Sequence, residues 1–191
     1  MRLIAGDLSA ERGGELVFSG LNFSLTDGEI LVVSGPNGVG KTTLLRVIAG
    51  LLQPSQGSVS LEGGGEAGIG PNCHLLGVQN ALKLALTLSQ NLGFWQNFAG
   101  NPLRSVDGAL AAVGLGGLSE TPFAYLSTGQ KRRAAIARLL VSHRPLWLLD
   151  EPTSGLDKHG EAMFAGLLRE HLKSGGLAVA ATHLSLGIEG A

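Results

Sequence analysis

Two hydrophobic rhythms alternate along the chain. Arg2–Leu8 and Glu15–Leu25 read as strands separated by turn residues at Gly13-Gly14, with a further turn at Ser19-Gly20. After the turn Thr26-Asp27-Gly28, the segment Glu29–Ser34 carries the continuous apolar run Ile-Leu-Val-Val, the pattern of a short strand buried on both faces. Gly35–Gly40 is a loop, and Lys41–Leu52 predicts a helix with Leu44, Leu45, Ile48 and Leu51/Leu52 on one side, stopped near Gln53-Pro54. Gly57–Leu61 reads as a short strand, and the glycines from Gly63 to Pro71 as a flexible hairpin or loop. From Gln79 to Val141 the period becomes helical, over Thr87–Phe98, Leu103–Val113 and Gln130–Val141, punctuated by Pro102, Gly114–Gly117 and Pro122. Strand-type runs return at Leu146–Leu149 and Leu177–Thr182, on either side of a helix over Asp157–Lys173. The order predicts an α/β core, residues 1–78 and 142–191, with a helical subdomain inserted at 79–141, all within one domain.

Composition narrows the class. Apolar residues are 44% of 191, enough for a substantial core, and the longest apolar runs fall far short of the ~20 residues of a membrane span. Asp7 and Glu11 interrupt the first segment too early for a signal-peptide core, and the single Cys73 excludes an internal disulfide. Secreted, zinc-ribbon and membrane-spanning readings are therefore set aside. A net charge of −1 speaks against a generic nucleic-acid binder. The 30 glycines follow no triplet, which removes collagen, and many fall at turns between apolar segments. Charged residues are only 15%, against about 25% in an average soluble domain, which fits either surface that something else covers or an ordinary Ala/Gly/Leu-rich sequence.

The strongest local signal is Gly35-Pro36-Asn37-Gly38-Val39-Gly40-Lys41-Thr42-Thr43, which contains G-x-x-x-x-G-K-[ST] between a buried strand and a helix. Loop N–H groups and a helix N-terminus facing one point suit a polyphosphate, Lys41 adds a point charge for the β- and γ-phosphates, and the Thr42 hydroxyl is a Mg²⁺ ligand candidate. The second signal is Leu146-Trp147-Leu148-Leu149-Asp150-Glu151, an apolar strand ending in two carboxylates. Ligands of parallel sheets lie beyond the carboxyl ends of the strands, so Asp150 is placed near Mg²⁺ and Glu151 beside the γ-phosphate, where it can orient or deprotonate a water. Without the phosphate loop, the same residues would read as a solvated acidic turn.

Further motifs, in order, resemble the ATP-binding-cassette (ABC) ATPases. Leu126-Ser127-Thr128-Gly129-Gln130 is similar to the signature loop of that family, Ser154-Gly155-Leu156-Asp157 to its D-loop, Thr182-His183 to its H-switch and Gln79 to its Q-loop glutamine. The resemblance spans nearly the whole chain. It implies a P-loop ABC nucleotide-binding fold, ATP and Mg²⁺ as cofactors, Glu151, His183 and Lys41 as catalytic residues, and Thr42, Gln79 and Asp150 around the metal. It also implies that Ser127–Gln130 act in trans, on ATP held by a second copy in a sandwich dimer. A finer resemblance, to the ATP-binding subunits of cytochrome c maturation (haem exporter) complexes, rests on Phe18-Ser19-Gly20-Leu21, Leu75 through Lys83, Leu86-Thr87, Asn91-Leu92, Arg132-Arg133 with Ala137-Arg138-Leu139, and Ala181 to Leu184. It implies a peripheral protein on the cytoplasmic face of a bacterial inner membrane, bound to membrane-spanning subunits that dock near Gln79–Leu92, with hydrolysis serving haem delivery.

The chain departs from these patterns in four places. Arg12 stands where many family members stack an aromatic on adenine; a guanidinium plane also stacks on a base. Thr128 replaces a glycine of the signature, and Val78 stands where the haem-related group has histidine. Family members usually continue further beyond the histidine, so an open sheet edge or a shortened chain is expected. Among weaker features, Asn72-Cys73-His74 reads as a strand edge rather than a ligand set. Phe94, Trp95 and Phe98 read as core or partner-facing packing. Lys131-Arg132-Arg133 reads as a first helical turn with its charges toward solvent or phosphate, and His143, His159 and His171 as surface residues. The alternatives are another ABC exporter subunit, a soluble ABC protein acting on ribosomes or DNA, and a small P-loop kinase or GTPase; the signature loop argues against the last.

Overall fold

In a computed structural model, which describes residues 1–183, Leu186 and Gly187, the strands form two sheets. An antiparallel sheet has the order β2-β1-β4, from β1 (Arg2–Arg12), β2 (Glu15–Thr26) and β4 (Gln56–Glu62). A parallel sheet has the order β3-β7-β6-β5, from β3 (Ile30–Val33), β5 (Cys73–Leu76), β6 (Leu146–Asp150) and β7 (Leu177–Ala181). The expected break at Ser19-Gly20 is absent: β2 runs through it, and the strain is taken up as register shifts opposite β1 between Ala5 and Glu11.

The period of two decides the layering. In β6, Leu146 and Leu148 face one core while Trp147 and Leu149 face the other; in β7, Leu177, Val179 and Ala181 alternate in the same way with Ala178 and Ala180. The first core lies between the two sheets and is filled by Leu44, Leu45, Val47 and Ile48 of α1 (Lys41–Ile48) together with Leu3, Leu8 and Ala10 of β1. The second lies under Phe164, Leu167 and Leu168 of α5 (Lys158–Lys173) and continues into the helical segment, α2 (Leu88–Ala99), α3 (Val106–Ala112) and α4 (Thr128–Ala137).

Three helices are shorter or shifted relative to the sequence pattern. α1 stops at Ile48 because the chain turns at Gly50, with φ +72. α3 starts only after Ser105, whose hydroxyl caps it, while the Leu103 and Arg104 amides bond to the carbonyls of Val141 and Leu140. α4 starts two residues earlier than Gln130, capped by Ser127, and ends at Ala137. No helix among the described residues is long and apolar enough to cross a membrane.

Candidate functional site: a phosphate loop at the sheet edge

The loop between β3 and α1 gathers backbone donors at one point. Gly40 is the N-cap of α1 in the left-handed region, φ +106, with no side-chain capping bond, so the first-turn amides of the helix have no intrahelical acceptor. A Cβ there would come within 2.4 Å of Val17 Cγ1, so β2 packs where only glycine leaves room. Lys41 is buried, and its ammonium bridges the loop by donating to the Gly35 carbonyl at 2.6 Å and the Pro36 carbonyl at 3.1 Å. An ammonium has three donors, so one remains for a phosphate oxygen. Thr43 is buried beneath the loop, and Val39 projects outward.

Across from the loop, Asp150 ends β6 with 4% exposure. The Thr42 hydroxyl donates to Asp150 Oδ2 at 2.8 Å, which joins the start of α1 to the end of β6. Glu151 follows in a left-handed backbone conformation, φ +44, and its amide donates to the Ala181 carbonyl of β7 at 2.8 Å. Its carboxylate is held from the neighbouring strand end: Thr182 Oγ1 donates to Oε2 at 3.2 Å, and His183 Nδ1 to Oε1 at 3.0 Å. Two clefts of about 300 and 320 Å³ share Thr42, Val78 and Asp150. Arg12, Val17, Asn37, Gly38, Gly40, Lys41, Thr43 and Glu151 line the first; Gln79, Gly77 and Arg46 line the second. The residues expected at the phosphates and the metal, with Glu151, thus meet beyond the carboxyl ends of β3 and β6.

The signature residues stand apart from these clefts. Ser127 Oγ accepts from the Gln130 amide at 3.3 Å, and the Gln130 side chain accepts from the Ser127 amide at 2.9 Å, a reciprocal cap that leaves Ser127 and Thr128 exposed at the start of α4. Gly129 packs on the D-loop, where a Cβ would sit 3.3 Å from the Gly155 carbonyl. Ser154 and Gly155 are exposed, Leu156 packs on the second core, and Asp157 caps α5 through the Gly160 amide at 2.8 Å. That bond, with the Arg133 ion pair at 2.8 Å, holds the Asp157 carboxyl below the usual carboxylate range.

Two sequence expectations fail here. Arg132 does not face solvent: it is 4% exposed, and its guanidinium donates to the carbonyls of Gly77 (2.8 Å), Asp150 (3.0 Å), Glu151 (2.7 Å) and Pro152 (3.0 Å). A readable signal was its phase: Ala135, Ile136 and Leu139, three, four and seven residues on, are all fully buried. His171 is not a free surface residue either. Its ring stacks on Trp147 with centroids 4.0 Å apart and donates to the Leu177 carbonyl, and burial pushes its pKa down to about 4. His143 and His159 are exposed as expected. Cys73 and His74 lie on β5; His74 donates to the Ser142 carbonyl at 2.9 Å, and burial pushes its pKa to about 3. Phe94 and Phe98 are exposed and stacked, with Trp95 edge-on to both. They lie beside a larger groove of about 550 Å³, lined by Trp95, Phe98, Leu51 and Arg138 but by none of the residues of the phosphate loop. Leu184 lies outside the described residues.

The family model described as "ABC transporter" matches residues 18–154. The cytochrome c biogenesis ATP-binding export protein CcmA of Mesorhizobium japonicum is 62% identical, covering 100% of this chain and 96% of its own length. The protein of the same name from Chelativorans sp. is 58% identical, covering 100% and 95%. A solved structure of an ABC transporter ATP-binding protein from Pyrococcus furiosus shares the fold with TM-score 0.85 at 23% identity, over 98% of this chain and 94% of that one.

Proposed function

The chain belongs to the ABC transporter family of ATP-binding proteins, and from that premise we propose that it hydrolyses ATP as the cytoplasmic subunit of a membrane complex serving haem delivery in c-type cytochrome biogenesis. The observation that carries the chemistry is the Thr42–Asp150 bond, which sets a hydroxyl and a carboxylate 2.8 Å apart beside the phosphate loop and under Glu151. The observation that carries the biological role is full-length similarity, at 58–62%, to proteins named for cytochrome c biogenesis.

The roles follow from position. The loop Gly35–Gly40 and the first turn of α1 receive the β- and γ-phosphates on backbone N–H groups, and Lys41 adds its remaining donor. Arg12, at the end of β1 and on the wall of the cleft, is assigned to stacking its guanidinium plane on the base. Thr42 and Asp150 offer hard oxygens suited to Mg²⁺, with Gln79 at the rim of the same cleft. When bound, Mg²⁺ supplies charge neutralisation on the phosphate oxygens. Glu151 orients the attacking water and accepts its proton as the bond from the γ-phosphorus to ADP breaks, help typically worth about 10²–10⁴ in rate. His183 and Thr182 hold that carboxylate from the next strand, and the exposed His183 ring is assigned to the γ-phosphate. Ser127–Gln130 line neither cleft, so their exposed helix start is assigned to ATP bound by a second copy. Residues 79–141 then act as the helical subdomain, moving the signature loop against the core formed by 1–78 and 142–191. The Phe94–Phe98 stack and the apolar groove beside it offer surface for the membrane-spanning subunits.

Glu151→Gln, loaded with ATP to hold the closed dimer, tests this reading when captured from native membranes and its companions identified by mass spectrometry. The expected companions are the haem-handling subunits of cytochrome c maturation, and a strain carrying Lys41→Ala is expected to lack mature c-type cytochromes. Recovery of an unrelated permease, with normal cytochromes in the mutant strain, would retain the ATPase and discard the haem role.

A further inference from the structure

Arg132 is buried, charged and aimed at backbone rather than at a carboxylate. One guanidinium meets four carbonyls from two separate segments: Gly77, two residues before Gln79, and the run Asp150, Glu151 and Pro152. All of its heavy-atom donors are used, which is the arrangement a planar fork permits and an ammonium does not. Burial lowers the Arg132 pKa, and the nearby charges of Asp150 and Glu151 oppose that shift. The shortest of the four bonds, 2.7 Å, goes to the carbonyl of Glu151, the residue with φ +44. A left-handed non-glycine backbone at that point persists only where its surroundings over-determine it. Here the over-determination comes from both sides: Ala181 accepts from the Glu151 amide, and the Glu151 carbonyl accepts from Arg132 at 2.7 Å and, more weakly, from the Ser154 amide at 3.1 Å. Arg132 itself stands in the second turn of α4, the helix whose first residues form the signature loop.

We propose that Arg132 is a positioning residue for hydrolysis, holding the Glu151 peptide in its left-handed conformation and clamping it to the signature helix and the start of the Q-loop. The inference rests on the assignment of Glu151 as the residue acting on water. Loss of the clamp lets the Glu151 peptide relax toward ordinary backbone, which swings the carboxylate away from Thr182 and His183. Arg132 bonds to the Asp150, Glu151 and Gly77 backbones rather than to Lys41, Thr42 or the loop carbonyls, so the phosphate cradle keeps its own contacts and the larger loss is expected in the chemical step. Movement of α4 also reaches Glu151 through a rigid group, so the position of the signature loop and the readiness of the water-activating carboxylate are set together.

The test uses the full chain with Arg132→Gln and Arg132→Lys, measuring kcat and KM for ATP, equilibrium binding of a fluorescent ATP analogue, and thermal melting. Arg132→Gln is expected to lower kcat by about tenfold or more with KM and nucleotide affinity within about threefold of wild type, the split left by removing an interaction that acts only on the chemical step. Arg132→Lys keeps the charge and most of the packing but cannot serve four carbonyls; it is expected to fold, bind nucleotide normally and show an intermediate kcat, which decides the matter should Arg132→Gln not fold. Unchanged kcat in the lysine variant at wild-type affinity would overturn the proposal, as would parallel loss of affinity and kcat, since packing alone would then account for the residue. A wild-type chain that binds ATP but does not hydrolyse it, and is insensitive to Glu151→Gln, would instead overturn the ATPase assignment and the proposal with it.

Discussion

At the scale of single residues, burial rather than contact with the nucleotide sets the most testable property. His74 and His171 are held neutral in the folded chain, with pKa values of about 3 and about 4, against an ordinary value near 6.5. For both, removal from water is the largest cause; the Ser142 and Leu177 carbonyls oppose it, while the charges of Arg138, Arg144 and neighbouring histidines add to it. A depressed folded pKa on a base means that the unfolded chain binds the extra proton first. Their contribution to stability is therefore complete above about pH 6.5 and is lost as pH falls toward 4 and then 3. Urea unfolding between pH 7.5 and 4.5 is expected to show a slope that includes up to two protons from this pair, about 2.7 kcal/mol per pH unit at most. His171→Gln should remove about one of those protons. An unchanged slope in that variant would contradict the buried placement against Trp147. The sequence did not disclose this placement, because the strand packed beneath a helical histidine is not its neighbour in the chain.

At the scale of elements, the turn from β3 into α1 depends on one position. Gly40 combines φ +106 with an approach of 2.4 Å between a would-be Cβ and Val17 Cγ1. Gly40→Ala is expected to cost about 1–3 kcal/mol of stability and most of the nucleotide affinity, read by thermal melting and analogue binding. Adding Val17→Ala should relieve the contact but not the backbone, so stability should return in part while affinity stays low. Recovery of both would show that space, not φ, is what Gly40 provides. The loop itself was legible because its spacing reports a chemistry; the helix around it was legible from the Leu44, Leu45 and Ile48 period. The ends of α3 and α4 were not. Pro102–Arg104 bonds back to residues 140–142, and Ser127 rather than Gln130 opens α4, both consequences of capping and long-range pairing. Arg132 escaped for a related reason: a charge cluster invites a solvated reading, although the phase of its buried neighbours contradicts it.

At the scale of the molecule, two sheets share α1, and the parallel sheet divides the apolar residues between two cores by alternation in β6 and β7. The α/β class was foreseeable from motif order, and so was the gathering of Lys41, Thr42, Asp150 and Glu151 beyond the strand ends. What the linear pattern withheld was strand order, since β7 is the latest strand among the described residues yet lies between β3 and β6. That placement has a consequence for how the protein is made. The phosphate loop follows β3 and the acidic pair closes β6, but the two strands are joined only through residues 177–181 of β7, which pair with both. A ribosome adding roughly 5–20 residues per second therefore exposes the loop and both carboxylates well before the strand that joins them leaves the exit tunnel. Nascent chains stalled with β7 still inside the ribosome are expected to bind no ATP analogue, and the same chains after release to bind it normally; binding by the stalled chains would mean that the loop assembles alone. On that expectation, the order of synthesis sets the moment at which the nucleotide site can form.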